Sequence, residues 1–173
     1  MGEKLDVTIT YLRQETRPTS LRPAPAPKGV ALLRAEEPSI SYYRYLYDLV
    51  GRAYNWVSRR QMSDADLNEI ISDPEVYIYV LYCKGVPAGF TEIDARTSDV
   101  AEIRFFGVAG AYHGRGLGRF FLQQVIEIAW SLGPSQVELE TCTLDHPAAL
   151  PLYQKLGFVV IDRRQGQVDL IAE

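Results

Sequence analysis

The sequence is poor in the residues that build disulfide frameworks, metal centres and nucleic-acid surfaces. Its 173 residues include only two cysteines and two histidines, and its net charge is −4. Cys83 and Cys142 have neither metal-site nor CxxC spacing, which fits a reduced compartment rather than a secreted scaffold. Two histidines, His113 and His146, argue against a histidine-based zinc site. The acidic balance argues against a nucleic-acid partner. We therefore expect no metal and no nucleic acid.

Long apolar runs are also missing. No stretch is long enough to span a membrane, and residues 1–6 lack the apolar core of a secretory signal. Asp6 stands where a myristoylation signal requires Ser or Thr. We therefore expect a cytoplasmic protein without a membrane partner. The length indicates a single domain over residues 1–173, with a proline-rich surface loop at 14–29.

Strand and helix patterns alternate unevenly along the chain. Alternating or β-branched segments predict strands at residues 7–13, 75–83, 86–95, 100–108 and 136–141, and residues 29–34 could be a short strand or an apolar anchor. Helical spacing and caps predict helices at 42–50 (capped by Ser39 or Ser41), 63–71, 116–132 and 145–156. Residues 159–162 and 168–171 are interpreted as a closing hairpin.

The connections between these segments predict a mixed sheet. Three strands with short connections between 75 and 108 must be mutually antiparallel. The strand–helix–strand connection from 100–108 to 136–141 makes those two strands parallel. We therefore predict an α/β (α+β) fold with one mixed, mostly antiparallel, splayed central sheet flanked by helices. The antiparallel half meets the parallel half at the strand that ends at Val108.

Three glycines at alternate positions follow that strand and precede the long helix. Gly114, Gly116 and Gly118 let backbone N–H groups surround an anion, and the helix N-terminus points at the same place. A P-loop would have Gly-Lys-Ser/Thr where this chain has Arg119 and Phe120. A dinucleotide fingerprint has GxGxxG spacing in a fold that alternates strand and helix throughout. This chain has Gly-x-Gly-x-Gly spacing and places three antiparallel strands first, so an NAD-dependent oxidoreductase stays only as the least favoured alternative.

Two motifs resemble a known family. Residues 113–118, His-Gly-Arg-Gly-Leu-Gly, are similar to the Gln/Arg-x-x-Gly-x-Gly/Ala signature of the GNAT acyltransferase superfamily. Residues 152–158, Leu-Tyr-Gln-Lys-Leu-Gly-Phe, resemble its Leu-Tyr-x-Lys-x-Gly-Phe. The order of elements also matches over residues 39–173. His113 stands where the family usually has Gln or Arg, and His146 stands where many members have Asn.

The resemblance implies an N-acetyltransferase that moves an acetyl group from acetyl-CoA to a primary amine by direct attack. The acceptor, a small molecule or a peptide, is not specified by the sequence, and a homodimer is possible. The alternative on the same fold is a non-catalytic acyl-CoA-binding regulatory or interaction module. The residues that the resemblance assigns to coenzyme binding are Phe106, Gly107, Val108, His113, Gly114, Arg115, Gly116, Leu117, Gly118, Arg119 and His146.

The same resemblance assigns the chemistry to a few side chains and one backbone group. The Val108 N–H would polarise the thioester carbonyl, with Gly107 permitting a bulge or a close approach. Tyr153 is the candidate general acid and Glu102 the candidate general base. The alternative for Glu102 is a surface pair with Arg104 on the same strand face. The amine can also lose its proton through ordered water, with back-up carboxylates on neighbouring strands at Glu92, Asp94 and Glu140.

Aromatic and basic residues near the first helix suggest the acceptor side. The aromatic run at 42–45 and Trp56 could form a cage for an amine, or half of these rings could belong to the core. The adjacent Arg59 and Arg60 are interpreted as a solvated edge.

Overall fold

The computed structural model describes residues 3–20, 24–97 and 99–170. They form one seven-stranded sheet in the order β2-β3-β4-β5-β6-β1-β7. The elements are β1 Lys4–Gln14, β2 Val30–Arg34, α1 Ile40–Gly51, α2 Asp64–Ile71, β3 Val76–Cys83, β4 Val86–Asp94, β5 Val100–Val108, α3 Leu117–Ser131, β6 Gln136–Cys142, α4 Ala149–Lys155 and β7 Val159–Asp169. Short 3₁₀ turns at Arg52–Tyr54 and Gly110–Tyr112 lie between them.

The sheet is mixed, as predicted, and the fold class is confirmed. β5 and β6 pair in parallel, while the other neighbouring strands pair antiparallel. One hydrophobic core lies under α3, where Phe121 and Val125 pack with Ile103 and Leu139. A second core lies under α1 and α2 on the other face. The sheet therefore separates an α3 side from an α1 side.

The parallel pairing of β5 and β6 is short. It runs from Val100 opposite Gln136 to Ile103 opposite Leu139 and ends there. Arg104 is an extra residue on β5 in its pairing with β4, because Glu92 faces Phe105 while Ile93 faces Ile103. Such a bulge increases the local twist of the strand. The strands consequently separate beyond Ile103 and leave a gap in the sheet.

The predicted closing hairpin is wrong. Residues 159–169 form one long edge strand, β7, that pairs antiparallel with β1 from Lys4 opposite Asp169 to Arg13 opposite Val159. In the sequence, the polar run at 162–167 resembles a turn. In the structure, these residues are polar because they lie on an edge strand whose side chains are largely in contact with solvent. Gly166 lies in the strand itself, where a Cβ would come within 3.1 Å of the Ile9 side chain.

The two helices for which the sequence predicts serine caps begin at those caps. Ser39 Oγ accepts from the Tyr42 N–H at 3.2 Å, and Ser63 Oγ accepts from the Asp66 N–H at 3.1 Å. The last helix begins at Ala149 rather than at 145, because the residues before it form a separate turn. None of the described helices is long and apolar enough to cross a membrane.

The proline-rich segment is described only in part. Gln14 belongs to β1, residues 15–20 and 24–29 are turns and irregular backbone, and residues 21–23 lie outside the described residues. The loop predicted at 14–29 therefore begins one residue later, after β1. Residues 171–173, of which residue 171 ended the predicted hairpin, also lie outside the described residues.

Candidate active site

The gap between β5 and β6 opens into a cleft of about 420 Å³. Its walls come from both strands, from the glycine loop, from the turn after β6 and from the segment after α1. Of the residues assigned to coenzyme binding from the sequence, Phe106, Gly107, Val108, His113, Gly114, Gly116, Leu117, Gly118 and His146 line it. Arg115 and Arg119 are exposed and do not line the cleft. The structure thus brings most of the predicted binding residues together.

The backbone of β5 directs polar groups that β4 does not pair toward this cleft. The Ala109 N–H donates to the Ala88 carbonyl at 2.8 Å, so the adjacent pair, Gly89 opposite Val108, is a non-hydrogen-bonded pair. The N–H and C=O of Val108 therefore point away from β4, and those of Phe106 do so for the same reason. In the described part of the chain, no strand pairs with this side of β5 beyond Ile103.

Gly107 allows a close approach rather than a bulge. A Cβ at this position would overlap the side chain of Val50 on α1. Gly51, at the end of α1, is equally constrained, because a Cβ there would overlap the ring of Trp56. Both glycines let α1 and the segment after it lie directly on β5.

The glycine loop has the backbone conformation of an anion cradle. Gly114 and Gly116 have φ of 75° and 74°, in the left-handed region that side chains disfavour. A Cβ on either would meet no protein atom within 4 Å, so open space lies beside them. Gly116 directly precedes the first turn of α3, whose free N–H groups face the same space.

The two histidines stand together at the cleft. Their rings meet edge to face with centroids 4.9 Å apart. His113 Nε2 lies 2.8 Å from the Val108 carbonyl oxygen, so its side chain turns back toward β5. His146 Nδ1 accepts from the Ala148 N–H at 3.1 Å within the turn that precedes α4. Among the described residues, no group of three or more His, Cys, Asp or Glu is arranged to hold a metal ion.

Tyr153, the predicted acid, lines the cleft from α4. Its ring is buried and meets Phe106 and Phe158 edge to face, both at 6.3 Å. Burial, and then the charge of Asp145, raise the pKa of its hydroxyl well above the ordinary value. Tyr153 therefore keeps its proton at neutral pH. In the part of the chain that the structure describes, its hydroxyl makes no hydrogen bond with a protein group.

Glu102, the predicted base, does not line the cleft. Its carboxylate accepts from Arg104 Nη1 at 2.8 Å, and it lies where β5 and β6 are still paired. This is the surface pair that the sequence offered as the alternative. The role of Glu102 as a base remains a prediction that this geometry does not favour.

Glu140 lines the cleft instead. It is the first residue of β6 beyond the paired stretch, and over the described residues its carboxylate has no hydrogen bond or salt bridge. Although solvent reaches it, partial burial raises the pKa of its carboxyl. The charges of Glu102 and Asp145 also raise this pKa, whereas Arg104 opposes them. The other two back-up carboxylates, Glu92 and Asp94, form ion pairs with arginines instead.

Glu92 is the most buried of these carboxylates. It is 0% exposed and accepts hydrogen bonds from Arg59, at 2.6 Å, and from the Tyr43 hydroxyl. The prediction that Arg59 belongs to a solvated edge is wrong, since it is 5% exposed. Asp94 is bound by Arg96 at 2.6 Å outside the cleft. The carboxylates of Glu92 and Asp94 are therefore held in ion pairs that stabilise the fold, and they do not face the cleft.

Asp145 is a site residue that the sequence reasoning missed. One carboxylate oxygen accepts from the Thr141 hydroxyl at 2.6 Å and the Cys142 N–H at 3.0 Å, and the other accepts from Trp56 Nε1 at 3.2 Å. It thus joins the turn after β6 to the segment after α1, across the cleft. An acid directly after the strand that borders the gap is the signal that could have identified it.

Comparisons with known proteins agree with this geometry. The profile of the Acetyltransferase (GNAT) family matches residues 43–158. The N-alpha-acetyltransferase RimI of Mycobacterium tuberculosis is 33% identical over 78 residues, which cover 45% of this chain and 47% of that protein. The chain therefore belongs to the GNAT acetyltransferase family, and its match to this relative spans about half of that protein's length.

Solved structures show the same fold at low sequence identity. A functionally unknown conserved protein from Staphylococcus epidermidis is 18% identical, with a TM-score of 0.68 over 97% of this chain and 64% of its own. A GCN5-related N-acetyltransferase from Kribbella flavida is 19% identical, with a TM-score of 0.63 over 96% of this chain and 59% of its own. An aminoglycoside acetyltransferase from an uncultured soil metagenomic sample is 14% identical, with a TM-score of 0.60 over 75% of this chain and 88% of its own.

The glycine loop generates a prediction with a matched control. Gly116→Ala and Gly85→Ala both place a side chain at positive φ, 74° and 81°, in open space. Each is expected to lower the free energy of unfolding by about 1–2 kcal/mol in urea titrations. Only Gly116→Ala puts a methyl group into the cradle, so only it should weaken coenzyme A binding, at least about tenfold by titration calorimetry. Equal affinities in the two variants would contradict the cradle.

Proposed function

We propose that this protein is an N-acetyltransferase that transfers the acetyl group of acetyl-CoA to a primary amine by direct attack. One observation carries the proposal: the gap between β5 and β6 exposes unpaired backbone N–H groups, with an anion cradle at one end and Tyr153 on its wall. An extended ligand with an anionic end fits such a gap as an added strand. Coenzyme A has this shape and charge.

The residues of the gap suggest how acetyl-CoA is held. The N–H groups of the glycine loop and of the first turn of α3 would bind the pyrophosphate. The pantetheine arm would lie along the free edge of β5. The Val108 N–H points into the gap and would donate to the thioester carbonyl, where negative charge develops during attack. His113, now against the Val108 carbonyl, would move aside or share that oxygen with the arm.

The reaction needs one proton removed and one supplied. An ammonium group entering the cleft gives a proton to the Glu140 carboxylate, and the free amine attacks the thioester carbon. The tetrahedral intermediate then collapses with cleavage of the carbon–sulfur bond. The Tyr153 hydroxyl protonates the departing thiolate, the second proton lost by the nitrogen restores the Tyr153 hydroxyl, and Glu140 releases its proton to solvent. The products are an N-acetylated amine, coenzyme A and one released proton. No acyl-enzyme forms, so no side-chain nucleophile is required.

Release of thiol tests the proposal directly. Acetyl-CoA and the protein are incubated with a panel of primary amines, and free coenzyme A is measured with a thiol reagent. We expect release that depends on one amine class and matches the N-acetylated product by mass spectrometry. Tight acetyl-CoA binding without release for any amine would favour the non-catalytic module, and binding of NAD but not coenzyme A would favour an oxidoreductase.

Removal of the Tyr153 hydroxyl should slow the chemical step. Tyr153→Phe is expected to lower kcat by roughly 10² to 10⁴ at saturating substrates, with little change in acetyl-CoA affinity. Because the pKa of Tyr153 is raised, the wild-type kcat should not fall with rising pH below about 10. Tyr45→Phe, at an exposed tyrosine of α1 outside the cleft, is the matched control. An unchanged kcat in Tyr153→Phe would remove this residue from the mechanism.

Glu140 should control how activity depends on pH. The wild-type kcat/KM is expected to be level between the pKa of Glu140 and that of the amine, because the carboxylate accepts a proton from the ammonium form. In Glu140→Gln the amine must arrive neutral, so kcat/KM should rise steadily with pH. At pH 7 the loss should be roughly 10² to 10⁴.

A matched control and a rescue sharpen this test. Glu138→Gln changes the same residue type two positions away, where Arg13 holds the carboxylate at 2.7 Å, and should keep the wild-type profile. An amine with a pKa below the assay pH should restore most of the activity of Glu140→Gln. The assignment is wrong if Glu140→Gln keeps the level region and Glu102→Gln loses it.

A further inference from the structure

The two faces of the sheet have different roles at the gap. Tyr153 belongs to the core on the α3 side, and Phe106 packs there on Phe121 with centroids 4.9 Å apart. Leu139 faces the same side, so its neighbour Glu140 faces the α1 side. If the acid and the glycine loop hold the thioester from the α3 side, the amine reaches it from the α1 side.

The floor on the α1 side is apolar. β1 and β7 continue beyond the end of β6 as a two-stranded ribbon, in which Leu5 faces Val168 and Val7 faces Gly166. Val7 and Val168 line the cleft from this ribbon, and Ile9 lines it from the last pair of β1 with β6. Because Gly166 has no side chain, Ile9 extends across it. No charged side chain of the described lining comes from this floor.

The opposite wall is aromatic. The ring of Trp56 packs on Phe105 and Tyr47, at 5.3 and 5.5 Å between centroids, and its Nε1 is fixed on Asp145. Tyr54 stands beside His146 with centroids 6.3 Å apart. Each of these aromatic residues lines the cleft. A ligand body between this wall and the ribbon would meet apolar surface on both sides.

Hydrogen bonds join the wall to the floor at the far end. Asn55 Nδ2 donates to the Asp169 carbonyl at 2.8 Å, and Gln61 Nε2 donates to its carboxylate at 3.0 Å. Asp169 is the last residue of β7 and follows Val168 of the floor. The pocket on the α1 side is therefore bounded where these three residues meet, which limits the length of a bound molecule.

The charges lie at the other end, beside the gap. Among the described residues, the Glu140 carboxylate there has no hydrogen bond or salt bridge, Asp145 is hydrogen-bonded, and Arg104 forms a salt bridge with Glu102. This end suits an ammonium group, and the far end does not. We propose that the acceptor is a compact primary monoamine whose amino group is carried on an apolar or aromatic body. This inference rests on the proposed function and names its substrate class.

Two probes of similar length separate this class from its rivals. 2-Phenylethylamine has one amino group and an aromatic body, whereas cadaverine would place a second ammonium group on the apolar floor. Burial of that unpaired charge is unfavourable, so kcat/KM for 2-phenylethylamine should exceed that for cadaverine at least about tenfold. A peptide with a free N-terminus is a third substrate in the same assay.

A charge placed on the floor should reverse the preference. Ile9→Glu puts a carboxylate beside the second ammonium group of cadaverine and should move the ratio of the two kcat/KM values toward the diamine at least about tenfold. Val168→Glu, at a half-buried floor position, repeats the test if Ile9→Glu does not fold. Val159→Glu is the control, because Val159 is on the same strand, β7, but is 65% exposed and outside the cleft.

The outcomes distinguish this inference from the proposed function. Thiol release with a wild-type preference for cadaverine or for the peptide would overturn the monoamine class and leave the acetyltransferase intact. An unchanged ratio in folded Ile9→Glu and Val168→Glu would place the acceptor elsewhere. The absence of release with every amine would instead contradict the proposed function.

Discussion

The separation of β5 from β6 is the constraint on which the rest of the site depends. A sheet interior normally pairs all of its backbone groups, and buried groups left unpaired are costly. Here the pairing stops after Ile103 and Leu139, at the position where Arg104 bulges out of β5. The bulge twists β5 away and leaves the polar groups of Phe106 and Val108 facing a cleft. An extended substrate would pair with β5 where β6 no longer does.

The elements around the gap fix its width. Without side chains at Gly51 and Gly107, α1 and Trp56 lie directly on β5, and this contact would be lost with any larger residue. Asp145 then holds Trp56 from the opposite side, through the turn after β6. The buried Arg59–Glu92 pair, with Tyr43, anchors the same segment to β4. Packing and hydrogen bonds therefore hold both walls of the cleft in place without strand pairing across the gap.

Local patterns in the sequence determine the parts of the fold that could be predicted. The glycine loop, the strand before it and the amphipathic helix after it are contiguous, so residue spacing alone predicts a parallel crossover and an anion cradle. The partner of Arg59 and the single strand β7 depend on distant residues, which periodicity does not report. Polar side chains along an edge strand resemble those of a turn. The resemblance assigns the base role to Glu102 and keeps Glu140 as a back-up, and only the point where pairing ends brings Glu140, rather than Glu102, to the cleft.

Asp145 links the two proton transfers of the proposed reaction. Burial is the main cause of the raised pKa of both Tyr153 and Glu140, and the negative charge of Asp145, whose carboxylate is held by three hydrogen-bond donors, adds to it. For Tyr153, a raised pKa keeps the hydroxyl protonated until a thiolate forms. For Glu140, a raised pKa lies closer to neutral pH, where a carboxylate is still charged and also accepts a proton readily. One fixed charge thus favours the acid and the base together, although neither residue contacts the other.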